Sequence, residues 1–283
     1  MVTEISAGQF TIRGRSLGGM YTSLLVPELN SLFDVGTALR AGAGVRRLFI
    51  SHGHLDHIGA LPALLGMRGL TGVRDPLHIY LPVDYVENLK QALDGFSAMH
   101  RWSLDVEIFG MQPGDVIQLH RDLHVRGFRT LHPVPSLGFF FFRRVKKLRA
   151  EFHELPGAEI ATRRRAGEDL FVETERPELA YATDTLPEVL DRYPELCTVP
   201  NLIMECTFLD ERKTVADARK GCHIHLAELE GWFSRLKNQN LVLMHFSQMY
   251  SPEEVHSILE SRMPTELFER VKPLAPNTGA WWD

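Results

Sequence analysis

Short apolar runs separated by glycine and proline dominate the first third of the chain, and this pattern predicts β-strands at 9–13, 21–26, 31–35 and 45–50. Beyond residue 57, strand-like runs alternate with segments whose apolar residues recur at helical spacing. Further strands are predicted at 77–81, 123–130, 137–142, 179–182, 201–205 and 241–245, and helices at 58–67, 83–96, 224–236 and 252–262. The alternation has no fixed repeat and no low-complexity linker, so it predicts a single α/β domain over residues 1–283.

A basic segment interrupts this pattern at approximately 143–177, the least regular part of the chain. It follows four consecutive phenylalanines, 139–142, which predict a strand buried on both faces. Its first seven residues carry five cations: Arg143, Arg144, Lys146, Lys147 and Arg149. Charge alone leaves two interpretations open, a solvated surface face or a short arm that binds phosphates.

Composition narrows the class of protein. At 283 residues and 44% hydrophobic content the chain can bury a large core, and a net charge of −5 argues against a protein that coats nucleic acid with its whole surface. Three cysteines without CxxC spacing are too few for a disulfide framework, and we expect them to be reduced and buried. The sequence has neither a secretory signal nor an apolar run of about 20 residues, which predicts a cytoplasmic protein without membrane contact.

A dense group of potential metal ligands follows the predicted strand that ends at residue 50. His52, His54, Asp56 and His57 lie within six residues. Imidazole nitrogen and carboxylate oxygen are the ligands that zinc accepts when thiolate is absent. Any one of these residues could be an ordinary polar turn residue, but four together predict a metal site.

Distant partners are needed to complete such a site, and three suitable residues follow other predicted strands: His132, Asp184 and His245. We assign three ligands to one ion, His52, His54 and His132. We assign three more ligands, Asp56, His57 and His245, to a second ion. The carboxylate of Asp184 is expected to bridge the two ions. Two such ions can activate a shared water for phosphodiester hydrolysis, and manganese or iron would be accepted in place of zinc.

Asp34, in Phe33-Asp34-Val35-Gly36, is interpreted as a residue that holds the ligand loop from behind. The alternative is an ordinary turn aspartate.

These residues and their neighbours resemble ribonuclease Z, the endonuclease family that removes 3′ trailers from precursor tRNA, in its short, plant-like form. The resemblance extends over nearly the whole chain. It rests on Phe33–Gly36, Ser51–Leu61, His132–Phe139, Ala182–Thr185, Glu205–Asp210, His223–His225 and His245–Ser247. The ligand cassette alone marks only the metallo-β-lactamase superfamily, and the segments at Glu205 and His223 narrow it to ribonuclease Z. The resemblance implies an αββα sandwich of two mixed sheets flanked by helices, with two zinc ions per subunit.

The resemblance also implies catalytic roles. Glu205 would orient His223, and His223 would protonate the leaving 3′ oxygen as general acid. Asp56 would assist deprotonation of the nucleophilic water as well as binding metal. Without the resemblance, Glu205 would be read as a strand-end ion-pair residue and His223 as a helix amino-terminal residue. His225, two residues further on, ranks second to His223 as the proton donor.

The basic segment acquires a role from the same resemblance. In this family an arm on one subunit holds tRNA for the active site of its dimer mate, which implies a homodimer and precursor tRNA as partners. Recognition of tRNA by shape, with lysine and arginine on phosphates, is expected.

The chain departs from the family pattern at two positions. Met249 stands where many members have arginine, and Cys222 where many have glycine. An arginine at position 249 would offer a bidentate phosphate contact that methionine does not. Trp281 and Trp282 fit either a mobile tail or a docking anchor.

Two other functions fit parts of the pattern. The same ligands would serve a phosphodiesterase of small molecules or cyclic nucleotides. A catalytically inactive RNA-binding protein is the second alternative, although every ligand position and the Glu205 and His223 pair are filled.

Overall fold

Among residues 2–282, which the computed structural model describes, fourteen strands form two mixed seven-stranded sheets. The first sheet contains β1 (Thr3–Ala7), β2 (Phe10–Leu17), β3 (Tyr21–Val26), β4 (Ser31–Phe33), β5 (Arg47–Phe49), β6 (Leu77–Pro82) and β7 (Val106–Met111), in this spatial order. The second contains β8 (Val116–Gln118), β9 (Leu123–Arg129), β10 (Leu137–Leu148), β11 (Phe171–Ala182), β12 (Asn201–Glu205), β13 (Asn240–Met244) and β14 (Val271–Pro273), again side by side in chain order.

Both sheets change from antiparallel to parallel pairing along their width. Strands β1 to β4 are antiparallel and β4 to β7 parallel. Strands β8 to β11 are antiparallel and β11 to β14 parallel. Parallel strands deliver their carboxyl ends to one edge of a sheet, where ligand sites form in α/β proteins. The backbone N–H of Leu137 donates to the carbonyl of Ser51, which joins the two sheets at this edge.

Helices cover the outer face of each sheet. They are α1 (Leu55–Ile58), α2 (Leu61–Leu70), α3 (Val86–His100), α4 (Gly157–Arg165), α5 (Val189–Arg192), α6 (Val215–Lys220), α7 (Leu226–Leu229), α8 (Pro252–Arg262) and α9 (Thr265–Phe268). Leu64 of α2 and Leu89 of α3 pack on the first sheet, whereas Leu226 of α7 and Val255 of α8 pack on the second. The expected αββα sandwich is confirmed.

The phenylalanine run is buried on both faces of β10, as its sequence predicts. Phe139 and Phe141 lie between the sheets, and Phe140 and Phe142 lie in the layer shared with the outer helices. The inner pair packs against Phe33 and Phe49 of the first sheet, with ring centroids 5.1 to 6.5 Å apart. Each buried ring contributes about 1.5–3 kcal/mol by leaving water, so this strand anchors the two sheets to each other.

Two predicted elements differ in the structure. The helix predicted at 224–236 is reduced to the four-residue α7 and a 3-10 turn over Glu230–Trp232, because Gly231 weakens the helix while apolar burial continues beyond it. The segment 143–177 is not irregular. Strands β10 and β11 extend into it as a hairpin, and α4 lies between them.

No helix among residues 2–282 combines the length and the apolar character needed to cross a membrane.

Candidate metal centre

The loop after β5 carries four of the predicted ligands to the edge where the sheets meet. Backbone hydrogen bonds from Ile50 to Tyr80 and from Leu137 to Ser51 fix the start of this loop. The single-turn helix α1 then places Asp56 and His57 in a different donor group from His52 and His54. One short segment therefore supplies ligand atoms in two directions.

The remaining predicted ligands enter from other strand ends. His132 follows β9, Asp184 follows β11 and His245 follows β13. Asp184 and His245 have φ of 47° and 62°, and Asp34 after β4 has φ of 54°. Such left-handed backbone is uncommon outside glycine. Three such turns at one edge bend the chain sharply where the strands end.

Four of these residues form the first donor group: His52, His54, His132 and Asp184. The ring nitrogens His52 Nε2 and His54 Nδ1 are 3.0 Å apart, and His132 Nε2 is 3.3 Å from His54 Nδ1. Asp184 Oδ2 lies 3.6 Å from His52 Nε2 and 3.9 Å from His132 Nε2. All four ligand atoms converge on one point.

The second donor group joins Asp56, His57 and His245. His57 Nε2 and His245 Nε2 are 3.3 Å apart, and Asp56 Oδ2 lies 3.4 and 3.6 Å from them. Asp184 Oδ1 lies 3.4 Å from both imidazoles. Each carboxylate oxygen of Asp184 thus faces a different donor group, in the bridging position predicted for it.

These spacings fit a divalent metal ion. Ligand atoms held tetrahedrally at 2.0–2.2 Å from an ion are roughly 3.3–3.6 Å from each other. Burial lowers the pKa of His132 to about 4 despite the opposing charge of Asp184, and burial likewise lowers that of His52 well below its usual value. Neutral imidazoles present lone pairs, which is the form that binds metal. The centre is therefore built for a divalent metal ion.

Buried hydrogen bonds set the tautomers of two rings. Asp34 is fully buried and accepts hydrogen bonds from the backbone N–H and hydroxyl of Ser51, the hydroxyl of Tyr181 and Nδ1 of His57. Burial would lower the pKa of His57, but Asp184 and Asp34 raise it well above its usual value, so a metal ion bound at Nε2 would displace a proton from this ring. With Nδ1 protonated towards Asp34, Nε2 of His57 faces the donor group. Asp34 thus holds the ligand loop, and Tyr181 is a contributor that sequence reasoning missed.

His245 is oriented in the same way from the other sheet. Thr207 Oγ1 donates to Glu205 Oε2 at 2.5 Å, so it accepts a hydrogen bond of 3.1 Å from Nδ1 of His245. Thr207 was not singled out in the sequence, although it lies within the Glu205–Asp210 motif. Its hydroxyl links the Glu205 carboxylate to a predicted ligand.

Glu205 and His223 form an ion pair beside the donors. Glu205 is fully buried at the end of β12, and its Oε1 lies 3.2 Å from Nδ1 of His223. The backbone N–H groups of Thr185 and Ile224 also donate to this carboxylate. Burial opposes protonation of His223, but the charge of Glu205 and its hydrogen bond raise the pKa to about 9.

The His223 ring lies next to both donor groups. Its centroid is 5.3 Å from that of His245 and 5.9 Å from that of His132, and its side chain is partly exposed. A protonated imidazole therefore stands beside the centre, where a substrate can reach it.

Comparison with known proteins identifies the fold and the family. The family model of the beta-lactamase superfamily domain matches residues 23–246. A chloroplastic tRNase Z of Arabidopsis thaliana is 32% identical over 267 residues, which cover 94% of this chain and 75% of that protein. A second Arabidopsis thaliana tRNase Z is 30% identical over 264 residues, 93% of this chain and 94% of that protein.

The chain belongs to the tRNase Z family.

Solved structures agree with this fold. Human tRNase Z, short form, superposes with a TM-score of 0.55 at 19% identity and covers 83% of this chain and 92% of its own. A metallo-β-lactamase-fold protein from Bacillus subtilis gives a TM-score of 0.61 at 15% identity, with 94% and 96% coverage. Family membership confirms the resemblance drawn from the motifs and the prediction of an enzyme, a metal-dependent hydrolase of the ribonuclease Z kind.

His225 does not join the centre. It is buried, and its Nδ1 accepts a hydrogen bond from the backbone N–H of Ala227. Its Nε2 therefore carries the proton and donates to the carbonyls of Asp210 and Lys213, both at 3.0 Å. Both ring nitrogens are used in holding a loop, so the structure places only His223 beside the donors.

The five predicted RNA-binding residues lie on the hairpin of β10 and β11, away from the donors. Three of them are ion-paired: Arg143 with Asp122 and Glu178, Arg144 with Glu173, and Arg149 with Asp169. Lys146 and Lys147 are exposed, and neither is ion-paired within residues 2–282.

The departures noted in the sequence are visible near the centre. Met249 is exposed, and the neighbouring Arg212 is ion-paired with Asp210 and Glu254. Cys222 has a left-handed φ of 56°, which explains why glycine suits this position. Cys197 and Cys206 are buried as predicted, but Cys222 is only partly buried, because it precedes the accessible His223.

The carboxyl-terminal tryptophans are docked. Trp281 is buried, its indole N–H donates to the carbonyl of Tyr250 at 2.6 Å, and its own carbonyl accepts from Tyr21 at 3.0 Å. Trp282 packs edge-on against Tyr21.

Proposed function

We propose that this protein is a zinc-dependent endoribonuclease that removes the 3′ trailer from precursor tRNA; two of its relatives are named tRNase Z. The observation that carries the proposal is the position of the Glu205 and His223 pair beside two donor groups that share Asp184. This arrangement places a proton donor next to a centre able to hold charge on a phosphodiester. A proton donor and a centre that stabilises charge are both needed to expel an alkoxide from phosphorus.

Each predicted ligand keeps its assignment in this proposal. His52, His54 and His132 would hold one ion, and Asp56, His57 and His245 the other, with Asp184 between them. Five imidazoles and two carboxylates suit zinc, and manganese or iron as substitutes. Two such ions would supply an acidified water and would neutralise charge on the phosphoryl oxygens.

Asp56 orients the attacking water. Burial tends to raise the pKa of its carboxyl group, but hydrogen bonds and charge from His245 and His57 lower it far below the usual range. A carboxylate so weakly basic accepts a hydrogen bond from water and aligns it. Asp56 would assist in deprotonating that water, and bound metal ions would supply most of its acidity.

His223 serves the leaving group. With a pKa raised to about 9 it is protonated at neutral pH, and Nδ1 donates to Glu205. Its Nε2–H is left to protonate the leaving 3′ oxygen. The expected product is a tRNA with a 3′ hydroxyl group and a trailer with a 5′ phosphate.

The hairpin is the proposed RNA-binding arm. It leaves the sandwich at the end opposite the donors, because β10 begins next to Ser51 and runs away from it. Nine residues of strand from Phe139 to Lys147 span about 30 Å. An arm so far from its own centre suits an extended substrate, and we propose that it serves the centre of the partner in a homodimer.

Ion pairing in the arm supports the alternative function, a phosphodiesterase of small molecules. Because Arg143, Arg144 and Arg149 already have acidic partners, the arm offers less free charge than its sequence indicates. A phosphodiesterase of small molecules would not need such an arm.

The cytoplasmic location stays a prediction, since the relatives include chloroplastic and nuclear proteins.

Mapping the products of a precursor tRNA tests the proposal. Purified protein supplied with zinc or manganese should cut a 3′-extended precursor next to the discriminator nucleotide and leave a 3′ hydroxyl. His54→Ala should abolish this cut. Hydrolysis of small esters with no cut in precursor tRNA would contradict the proposal.

A further inference from the structure

A second cation lies beside the proton donor. Phe208 is partly buried, and its ring meets the His223 ring edge-on, with centroids 6.3 Å apart at 73°. The ammonium nitrogen of Lys213 lies 5.7 Å from the centre of the same ring. Phe208 thus contacts two positive groups, His223 and Lys213. Cations within about 6 Å of an aromatic centre are attracted to its face, so the ring holds the ammonium group here.

The backbone that carries this pair is fixed. The carbonyl of Phe208 accepts a hydrogen bond of 2.8 Å from Leu226, and its N–H donates to Ile224 at 3.2 Å. This pairing aligns Phe208 with the segment that contains His223. At the far end of the loop His225 donates to the carbonyl of Lys213. The backbone at Lys213 is therefore tied to the segment that contains His223.

Lys213 differs from its neighbours in having no acidic partner. Arg212 is ion-paired with Asp210 and Glu254, and Lys220 with Asp217. Within residues 2–282 no carboxylate lies within ion-pair distance of Lys213. The carboxylate of Asp217 senses the charge of Lys213, but it already accepts hydrogen bonds from Lys220 and Thr214. A partly buried cation left unpaired next to a proton donor is available to a substrate anion.

We propose that Lys213 binds the backbone phosphate next to the scissile one, on the leaving-group side of the RNA. This inference rests on the proposed function, in which His223 protonates the leaving oxygen. Because Phe208 and Lys213 adjoin His223, they face the nucleotide that carries that oxygen. The flexible four-carbon stem of lysine lets the ammonium group move from the ring to a phosphate. A polynucleotide has a phosphate at this position and a simple diester has none, so Lys213 selects for RNA.

One phosphate at a time can be made neutral to test this pairing. Precursor RNAs would carry a single methylphosphonate, either on the 5′ side of the discriminator nucleotide or one linkage into the trailer. For the wild type, the substitution on the 5′ side should raise KM about tenfold, the size of one charge-assisted contact. The trailer substitution should have a smaller effect.

The variant Lys213→Gln should show the same tenfold rise on unmodified RNA and no further rise on RNA with the 5′-side methylphosphonate. Lys213→Arg keeps the charge and should restore most of the affinity. Lys220→Gln is the matched control, since it removes a lysine charge that Asp217 already neutralises. The assignment would be overturned if the rises in KM caused by Lys213→Gln and by the 5′-side methylphosphonate were additive. An equal rise in Lys220→Gln would overturn it as well. Thermal unfolding of each variant identifies any loss due to misfolding.

A binding experiment separates this inference from the proposed function. If wild-type protein fails to cut precursor tRNA, the proposed function is wrong, but affinity for a short single-stranded RNA can still be measured as salt is raised. Loss of one phosphate contact should reduce the slope of log K against log salt by about 0.7 in Lys213→Gln. Lys220→Gln should keep the wild-type slope. Equal slopes for wild type and Lys213→Gln would reject Lys213 as a phosphate-binding residue.

Discussion

At the scale of single residues, hydrogen bonds behind the imidazoles determine which nitrogen meets the metal. Asp34 directs His57, and Thr207, tied to Glu205, directs His245. The sequence identified Asp34 through its motif. It could not identify Tyr181, because a tyrosine inside an apolar strand has the pattern of any core residue, and its hydroxyl reaches Asp34 only across the two sheets.

Asp34→Asn should weaken zinc binding by about 10–100-fold, the usual effect of losing a carboxylate behind a histidine ligand. Asparagine keeps one acceptor oxygen where Asp34 has two and loses the negative charge, so four donors compete for it and the hydrogen bond from Nδ1–H of His57 weakens. Tyr181→Phe removes only one hydrogen bond to Asp34 and should have a smaller effect. Competition with a chelating dye measures the zinc affinity of both variants. Asp122→Asn, which removes a carboxylate paired with Arg143 at the surface, is the control and should bind zinc like the wild type.

Glu205→Gln should move the alkaline limb of kcat/KM for RNA to lower pH, by about one unit or more. His223 acts in its protonated form, so activity falls as pH rises through its pKa, which Glu205 raises to about 9. Removing that charge lowers the pKa and brings the loss of activity closer to neutrality. A pH series with precursor RNA measures this shift.

The same variant should lose less activity on bis(p-nitrophenyl) phosphate, because nitrophenolate departs without needing a proton. Glu195→Gln, an exposed carboxylate, is the matched control. An alkaline limb that stays in place in Glu205→Gln would reject His223 as the general acid.

At the scale of elements, the sequence predicted best where local signals agree. The helix at 252–262 was predicted at its exact bounds, since Pro252 occupies its first turn and Ser251 and Glu254 form a capping box. Strands β3 and β12 were also predicted residue for residue. The edge strands β1, β7, β8 and β14 were missed. Most of their residues are exposed or half-buried and give weak patterns, and pairing with one neighbour holds them.

The arm shows how burial limits such predictions. Residues 143–148 continue β10 in register with β11, but both faces meet solvent or ion-pair partners, so no apolar alternation marks the strand. For that reason the sequence pattern predicted an irregular segment here instead of a strand. Pairing between Arg144 and Glu173, invisible in the linear sequence, then reduces the charge available for RNA.

Replacing Lys146 and Lys147 with glutamine should therefore raise KM for precursor tRNA more than replacing Arg143 and Arg144. The lysines are free, whereas each arginine already has an acidic partner. With two fewer phosphate contacts, affinity should also become less sensitive to salt, with a slope smaller by about 1–2. Changing all five cations should reduce tRNA cleavage at least tenfold more than hydrolysis of a chromogenic diester. Parallel losses on both substrates would favour the small-molecule phosphodiesterase.

At the scale of the whole molecule, the two sheets bring together residues nearly two hundred positions apart. His57 and His245 come from different sheets, yet their Nε2 atoms lie 3.3 Å apart. The sequence could propose this grouping because every predicted ligand follows a strand and parallel strands end at one edge. It could not give the distances, the use of both Asp184 oxygens or the hydrogen bonds that occupy His225, which depend on how the sheets pack.

Mixing subunits tests the proposed dimer and the reach of the arm together. An arm variant with all five cations neutralised and a His54→Ala variant should each be inactive on precursor tRNA. If the arm serves the partner's centre, each mixed dimer has one working active site. It combines the intact arm of the His54→Ala subunit with the intact centre of the arm-variant subunit. Random pairing of equal amounts should then restore about a quarter of wild-type activity. If each arm serves its own centre, no combination in the mixture is complete and activity stays absent. The distance between the hairpin and the donors on one chain favours the first result, and a monomer in sedimentation together with an inactive mixture would refute it.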